Sequence, residues 1–169
     1  GNPKHFIRIA GNALTFTAAN LTQCIESVRT LAGETTTVTF WAKASAPRQL
    51  RPRFIQIFGT GGTPSQPVDT IGDPVDLTTS WQKFSQTVTL PSIAGKTLGS
   101  DGNDRLELAF DLKEGEFGDD LNNDSVDIAR ISVVPGDATA EDDPFSPRHI
   151  QQELALCQRY YYKASNATL

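Results

Sequence analysis

The sequence predicts an all-β protein, a two-sheet antiparallel β-sandwich of the jelly-roll type, with one short helix near its C-terminal end. Three observations lead there. Apolar and polar residues alternate along many short segments, the period of a half-buried strand. Thirteen glycines and ten prolines punctuate those segments, as turns between short strands require. Threonine and valine, which suit a pleated surface, recur within them. At 169 residues the chain is long enough for one domain with a sizeable core.

The first strands are expected at 5–9 and 13–17, around the turn pair Gly11-Asn12 of a hairpin. A third suits 21–29, where alternation is less clean, and Gly33 then breaks the chain. The clearest strand is 35–44: Val38, Phe40 and Ala42 share one face, and Thr37, Thr39, Trp41 and Lys43 share the other. Pro47 and Pro52 bracket an expected basic turn from Arg48 to Arg53. A strand at 53–58 runs into the glycine-rich loop Gly59-Thr60-Gly61-Gly62. Further strands follow at 81–90, with Phe84, Val88 and Leu90 on one face, and at 105–112. In the latter, Leu106, Leu108, Phe110 and Leu112 alternate with Arg105, Glu107, Ala109 and Asp111. Residues 125–134 close the β region, which makes eight strands in a domain spanning 1–135. The remainder, 136–169, reads as an acidic linker, a helix and an exit strand. Ser146-Pro147 suits a helix N-cap followed by proline at the first helical position. Ile150, Leu154 and Cys157 then keep helical spacing, which predicts a helix over 148–159, and Tyr160, Tyr161 and Tyr162 lead out as a strand.

Composition excludes several function classes. The net charge of −5 disfavours a nucleic-acid binder, which needs a basic surface against phosphates. No apolar run approaches the ~20 residues of a spanning helix, so no membrane insertion is expected. Gly1-Asn2-Pro3-Lys4 lacks the layout of a signal peptide and is expected to be an internal edge of a longer polypeptide. Cys24 and Cys157 have no ligand-like neighbours for zinc, and both are expected as buried thiols.

Catalytic patterns fail on inspection. Gly95-Lys96-Thr97 ends like a phosphate-binding loop, but that loop needs a glycine where Leu90 stands. His5 and His149 stand at opposite ends of the chain, in no triad or metal spacing. Glu114 with Glu116, and Asp119 with Asp120, occupy a glycine-rich loop, whereas paired catalytic carboxylates usually come from separate strands. Three Asn-x-Ser/Thr triplets, at Asn20, Asn123 and Asn166, are what a threonine-rich chain produces by chance. The chain is expected not to be an enzyme and to need no cofactor. Calcium is the one ion its loops would suit, through Asp120, Asn122 and Asp124, although Ser125 and Ile131 break the EF-hand pattern.

Binding is the remaining class. A sugar site needs a flat aromatic for the C–H face and polar groups for the hydroxyls. The candidates are Trp41, Lys43, Arg51, Arg53 and Gln56, with the tyrosine run Tyr160, Tyr161 and Tyr162 beside them. A tryptophan in such a strand packs between sheets more often than it stacks on a ligand, so the core is the first expectation for Trp41. Trp81 is expected beneath a loop. Arg48, Arg51 and Arg53 are expected to mark a solvated sheet edge; they would also suit an anionic polysaccharide.

Several segments together resemble one family. They are Arg29-Thr30-Leu31-Ala32-Gly33 with Val38-Thr39-Phe40-Trp41-Ala42-Lys43-Ala44, Ser80-Trp81-Gln82-Lys83-Phe84, Gly95-Lys96-Thr97-Leu98-Gly99 with Leu106-Glu107-Leu108, and Glu153-Leu154-Ala155-Leu156-Cys157-Gln158-Arg159-Tyr160-Tyr161-Tyr162. In this order they resemble the carbohydrate-binding-module-like jelly-roll domain of bacteriophage tail fibres and tailspikes, over about residues 20–163. The family's Leu-Glu-x-Gly ending is reduced here to Gly136. The resemblance implies a receptor-binding virion protein, exposed to the host cell surface, that recognises a host-surface glycan (polysaccharide or lipopolysaccharide). It implies a homotrimer beside other tail or spike proteins, for which Ile150, Leu154, Tyr160, Tyr161 and Tyr162 supply an apolar interface. Two alternatives stand beside it: a structural spacer or trimerisation domain that binds no glycan, and a fragment of a polysaccharide depolymerase with its active site elsewhere.

Overall fold

The computed structural model describes residues 1–11, 18–114, 118, 121, 123–142 and 151–152. Nine strands are described in two antiparallel sheets. They are β1 (Ile7–Ala10), β2 (Ala18–Glu26), β3 (Thr35–Ala44), β4 (Arg48–Ile57), β5 (Val68–Ile71), β6 (Val75–Leu77), β7 (Gln82–Thr89), β8 (Arg105–Glu114) and β9 (Ser125–Pro135). One sheet has the order β1-β9-β3-β7. The other has the order β2-β8-β4-β5, with β6 also paired to β4. This is the expected jelly-roll sandwich.

Alternation builds its core. Val38, Phe40 and Ala42 from β3 face Leu50 and Phe54 from β4 and Leu106, Leu108, Phe110 and Leu112 from β8, all buried in one apolar cluster. Phe40 sits at its centre, stacked on Phe84 at 5.5 Å and edge-on to Phe110 at 4.9 Å. At the sandwich's end, the glycine-rich loop is clasped by the segment 99–104. Gly99 is required there, because a Cβ on it would lie 2.1 Å from the carbonyl of Thr60.

Several expectations are corrected. The basic turn at Arg48–Arg53 is the first half of β4, a central strand, so its arginines do not mark an edge. A proline is tolerated inside it for a geometric reason. The Pro52 carbonyl accepts from Gly72, so its nitrogen faces the same side, between the β5 pairing at Arg53–Gln56 and the β6 pairing at Arg48–Leu50. No ladder donor is needed at that break. Strands β5 and β6 add to the eight expected. β1 pairs with β9, and the hairpin partner expected at 13–17 lies outside the described residues. Cys24 is exposed rather than buried, because it points outward from β2 beside Glu107. Gln151 and Gln152 are helical. The rest of the expected helix, Cys157 and the tyrosines lie outside the described residues, as do Ile150 and Leu154.

Candidate functional site: the outer face of the four-stranded sheet

The alternation that sends Phe40 and Ala42 into the core sends Trp41 and Lys43 to the opposite face of β3. Trp41 is half-buried on the outside of the sheet, which corrects the expectation that it packs between sheets. The register sets its neighbours. Trp41 lies opposite Lys83 of β7 and Ala129 of β9. Lys43 lies opposite Asp127 of β9, and Asp127 opposite Arg8 of β1. Four strands far apart in sequence thus bring Trp41 and several charges onto one surface, with Phe6 and Trp81 just ahead of β1 and β7.

A closed circuit of contacts runs across it. The Arg8 guanidinium donates to both Asp127 carboxylate oxygens, at 2.7 and 2.9 Å. Lys43 Nζ lies 3.6 Å from the same carboxylate and 5.4 Å from the Trp81 ring centre. Trp81 meets the edge of Phe6 at 5.6 Å, and Arg8 lies 5.4 Å over the Phe6 ring, completing the circuit. Trp81 is therefore half-buried beside Phe6 and Lys43, and Phe6 itself is 45% exposed. The hydrogen bonds from Arg8 and the charges of Arg8 and Lys43 hold the Asp127 carboxyl below the ordinary aspartate range, against the opposing effect of burial.

The second half of the face belongs to Trp41. The Arg130 guanidinium sits 5.5 Å over its indole. Its indole N–H is buried without a hydrogen bond among the described groups. Below it, the chain after β9 straps the sheet. Thr37 donates to the Gly136 carbonyl at 2.7 Å and accepts from the Ala138 N–H at 2.9 Å, and Lys83 donates to the Glu141 carbonyl. A groove of about 590 Å³ borders the cluster, lined by His5, Phe6, Ile7, Ala129 and Arg130 among others. That size lies within the usual range for a small-molecule site.

The other binding candidates lie elsewhere. Arg51 and Arg53 point from the outside of the second sheet, where both reach Asp111 at 3.2–3.3 Å. Gln56 is 1% exposed and its amide donates to the Pro91 carbonyl at 3.0 Å. The five candidates thus divide between two opposite faces and the interior. Of the calcium candidates, Asp120 and Asn122 lie outside the described residues, and Asp124 accepts from the Ser45 hydroxyl at 3.0 Å. Among the described residues no cluster of three His, Cys, Asp or Glu side chains could hold a metal. Sequence reading missed Phe6, Arg8, Asp127 and Arg130. Arg8 and Asp127 are 119 residues apart, and nothing local links them. Arg130 did leave a signal: the apolar rhythm Val126, Ile128, Ile131, Val133 slips by one residue around it.

No protein-family model and no curated protein sequence matches the chain. Solved structures do. The N-terminal cellulose-binding domain of Cellulomonas fimi β-1,4-glucanase C aligns over 78% of this chain and 79% of its own, with a TM-score of 0.53 at 14% identity. A CBM4 structure aligns over 80% of this chain and 74% of its own, with a TM-score of 0.44 at 22% identity. The enzymatically active domain of tailspike protein 4 from bacteriophage CBA120 aligns over 78% of this chain and 18% of its own, with a TM-score of 0.40 at 16% identity. At these identities the likeness concerns the fold. This chain has the jelly-roll sandwich architecture of the cellulose-binding domain.

Proposed function

We propose that this chain is a non-catalytic glycan-recognition module, and that its ligand lies across the outer face of the four-stranded sheet. One observation carries the reading: Phe6, Trp41 and Trp81 converge on a single half-exposed sheet face, interleaved with Arg8, Lys43, Lys83 and Arg130. Flat apolar rings beside fixed donors are what a sugar requires, since its C–H faces stack and its hydroxyls take hydrogen bonds. The fold shared with a cellulose-binding domain supports the same reading.

The finer proposal is a receptor-binding module of a bacteriophage tail fibre or tailspike. It would recognise host-surface polysaccharide or lipopolysaccharide as part of a homotrimeric virion protein, next to other tail or spike proteins. Its support is the ordered set of sequence segments from Arg29 to Tyr162. A second reading, a structural spacer, is favoured by the Arg8–Asp127–Lys43–Trp81–Phe6 circuit, which ties the N-terminal segment to the sheet. Glycan-array binding with light scattering in the same buffer separates the two. Saturable binding that Trp41→Ala removes, with fold and mass kept, supports recognition. A stable oligomer that retains no glycan supports the spacer.

A further inference from the structure

Phe6 and Trp81 stand just ahead of β1 and β7, the two edge strands of the four-stranded sheet. Three strand spacings of about 4.8 Å separate those edges, about 14 Å in all. Yet the centres of the two rings are 5.6 Å apart. Both side chains therefore lean inward, and together they roof the middle of the sheet. What lies beneath agrees with this. Asp127 and Ala129 occupy the outward row of β9, opposite Lys43 and Trp41, and both are nevertheless buried.

Among the described residues, the Trp81 ring has two partners: Phe6, at an interplanar angle of 62°, and the Lys43 ammonium at 5.4 Å. A half-buried indole beside an ammonium offers a sugar a flat ring for its C–H face and N–H donors for a hydroxyl. Phe6, itself a flat ring of pyranose size, holds part of that place. It is also the piece of the roof that can leave. It is half-exposed and apolar, and it sits between buried Pro3 and Ile7, where the ladder to β9 begins at Ile128. A turn of its side chain takes it off Trp81 without breaking a hydrogen bond. The adjoining groove, which Phe6 already lines, gives the ring a place to go. Arg8, over the other side of the Phe6 ring, remains held by its two hydrogen bonds to Asp127. An aromatic pair of this kind shifts an equilibrium by roughly two- to tenfold. That is enough to favour the covered form and little enough for a ligand to overcome.

We infer that Phe6 is an internal occupant of the sugar-stacking place on Trp81, a cover that the ligand displaces. This rests on the glycan reading above and adds to it a gated subsite. The free protein is mainly the covered form, and its apparent affinity is lowered in proportion to the uncovered fraction.

The test compares the whole chain with Phe6→Ala and Phe6→Leu on the same glycan array, followed by calorimetry with the oligosaccharide bound most strongly there. Phe6→Ala is expected to tighten binding by roughly two- to tenfold. Phe6→Leu, which keeps apolar bulk without a flat ring, is expected to give a smaller gain. Affinity that falls or stays the same in both variants overturns the cover and leaves glycan recognition standing. Absence of binding by parent and variants alike overturns the two readings together. A second measurement does not depend on the affinity change. With Trp41→Phe in the background, Trp81 is the one tryptophan left, and acrylamide quenching reports its exposure. Phe6→Ala is expected to raise that quenching in the free protein. Saturating oligosaccharide is expected to lower it to one common level with and without Phe6. Quenching that saturating oligosaccharide leaves unchanged in the Phe6→Ala protein places the sugar away from Trp81 and overturns the subsite.

Discussion

The two outer faces of this sandwich treat charge in opposite ways. On the five-stranded side, Asp111 is fully buried on the outward row of β8 and Arg53 is 9% exposed. Arg51 and Arg53 close over that carboxylate, and Arg53 also approaches Asp69 at 3.8 Å. No aromatic side chain stands on that face among the described residues. On the four-stranded side, the acid is again buried, with Asp127 at 4%, but its partner Arg8 is 54% exposed and aromatic rings lie alongside. Sealed ion clusters hold a sheet together. A half-open cluster flanked by rings leaves part of its surface to solvent. The same residue types, arginine and aspartate, thus close off one face and, under the proposed function, line the ligand surface of the other, according to what covers them.

That contrast can be broken from either side. The largest expected effect is on the sealed face. Asp111→Ala removes the buried carboxylate that Arg51 and Arg53 share, and should destabilise the fold by about 3–5 kcal/mol. Chemical denaturation measures this, and glycan affinity of the remaining folded protein should be unchanged. Next is Trp41→Ala on the open face. It should weaken glycan binding at least about tenfold, while the half-exposed position keeps the stability loss smaller than at a core aromatic, where truncation costs about 3–5 kcal/mol.

The acid limb of stability should depend on Asp127. Its carboxyl is held low in the folded state by Arg8, then by Lys43. The resulting stabilisation is present above the ordinary aspartate range and is lost as pH falls through the depressed folded value. Asp127→Asn should flatten the loss of stability between about pH 4 and pH 2, measured by urea unfolding across that range. The smallest effect is Trp41→Phe. It keeps a ring under Arg130 and removes a buried N–H without a described acceptor. Leaving such a donor unpaired costs about 1–3 kcal/mol, so the thermal midpoint should hold or rise.

Much of the fold was legible where one period ran unbroken. Residues 35–44 alternate cleanly and form β3 over that same span. The strands β5 and β6 were not legible, because four- and three-residue strands among Pro67, Gly72 and Pro74 carry more turn signal than strand signal. Pro52 misled for a related reason. Its tolerance depends on a gap between two partner strands, which only the assembled sheet defines. The candidate site was half legible. Trp41 and Lys43, which share the outer face of β3, were singled out from chemistry, since an aromatic beside a cation suits a sugar. Grouping them with Arg51, Arg53 and Gln56 failed, because strand parity gives each residue's side within its own strand and does not say which sheet that strand joins. Arg8, Asp127 and Phe6 enter only through pairing across the chain.

One property of the molecule makes the central claim directly measurable. Both tryptophans of the chain, Trp41 and Trp81, lie on the four-stranded outer face, so intrinsic tryptophan fluorescence reports from the proposed site without a label. Titration with a bound polysaccharide should shift or quench that emission saturably, with the midpoint found by calorimetry, and each single-tryptophan variant, Trp41→Phe and Trp81→Phe, should still respond. Saturable calorimetric binding with unchanged emission from both tryptophans would place the ligand elsewhere on the molecule and contradict the account.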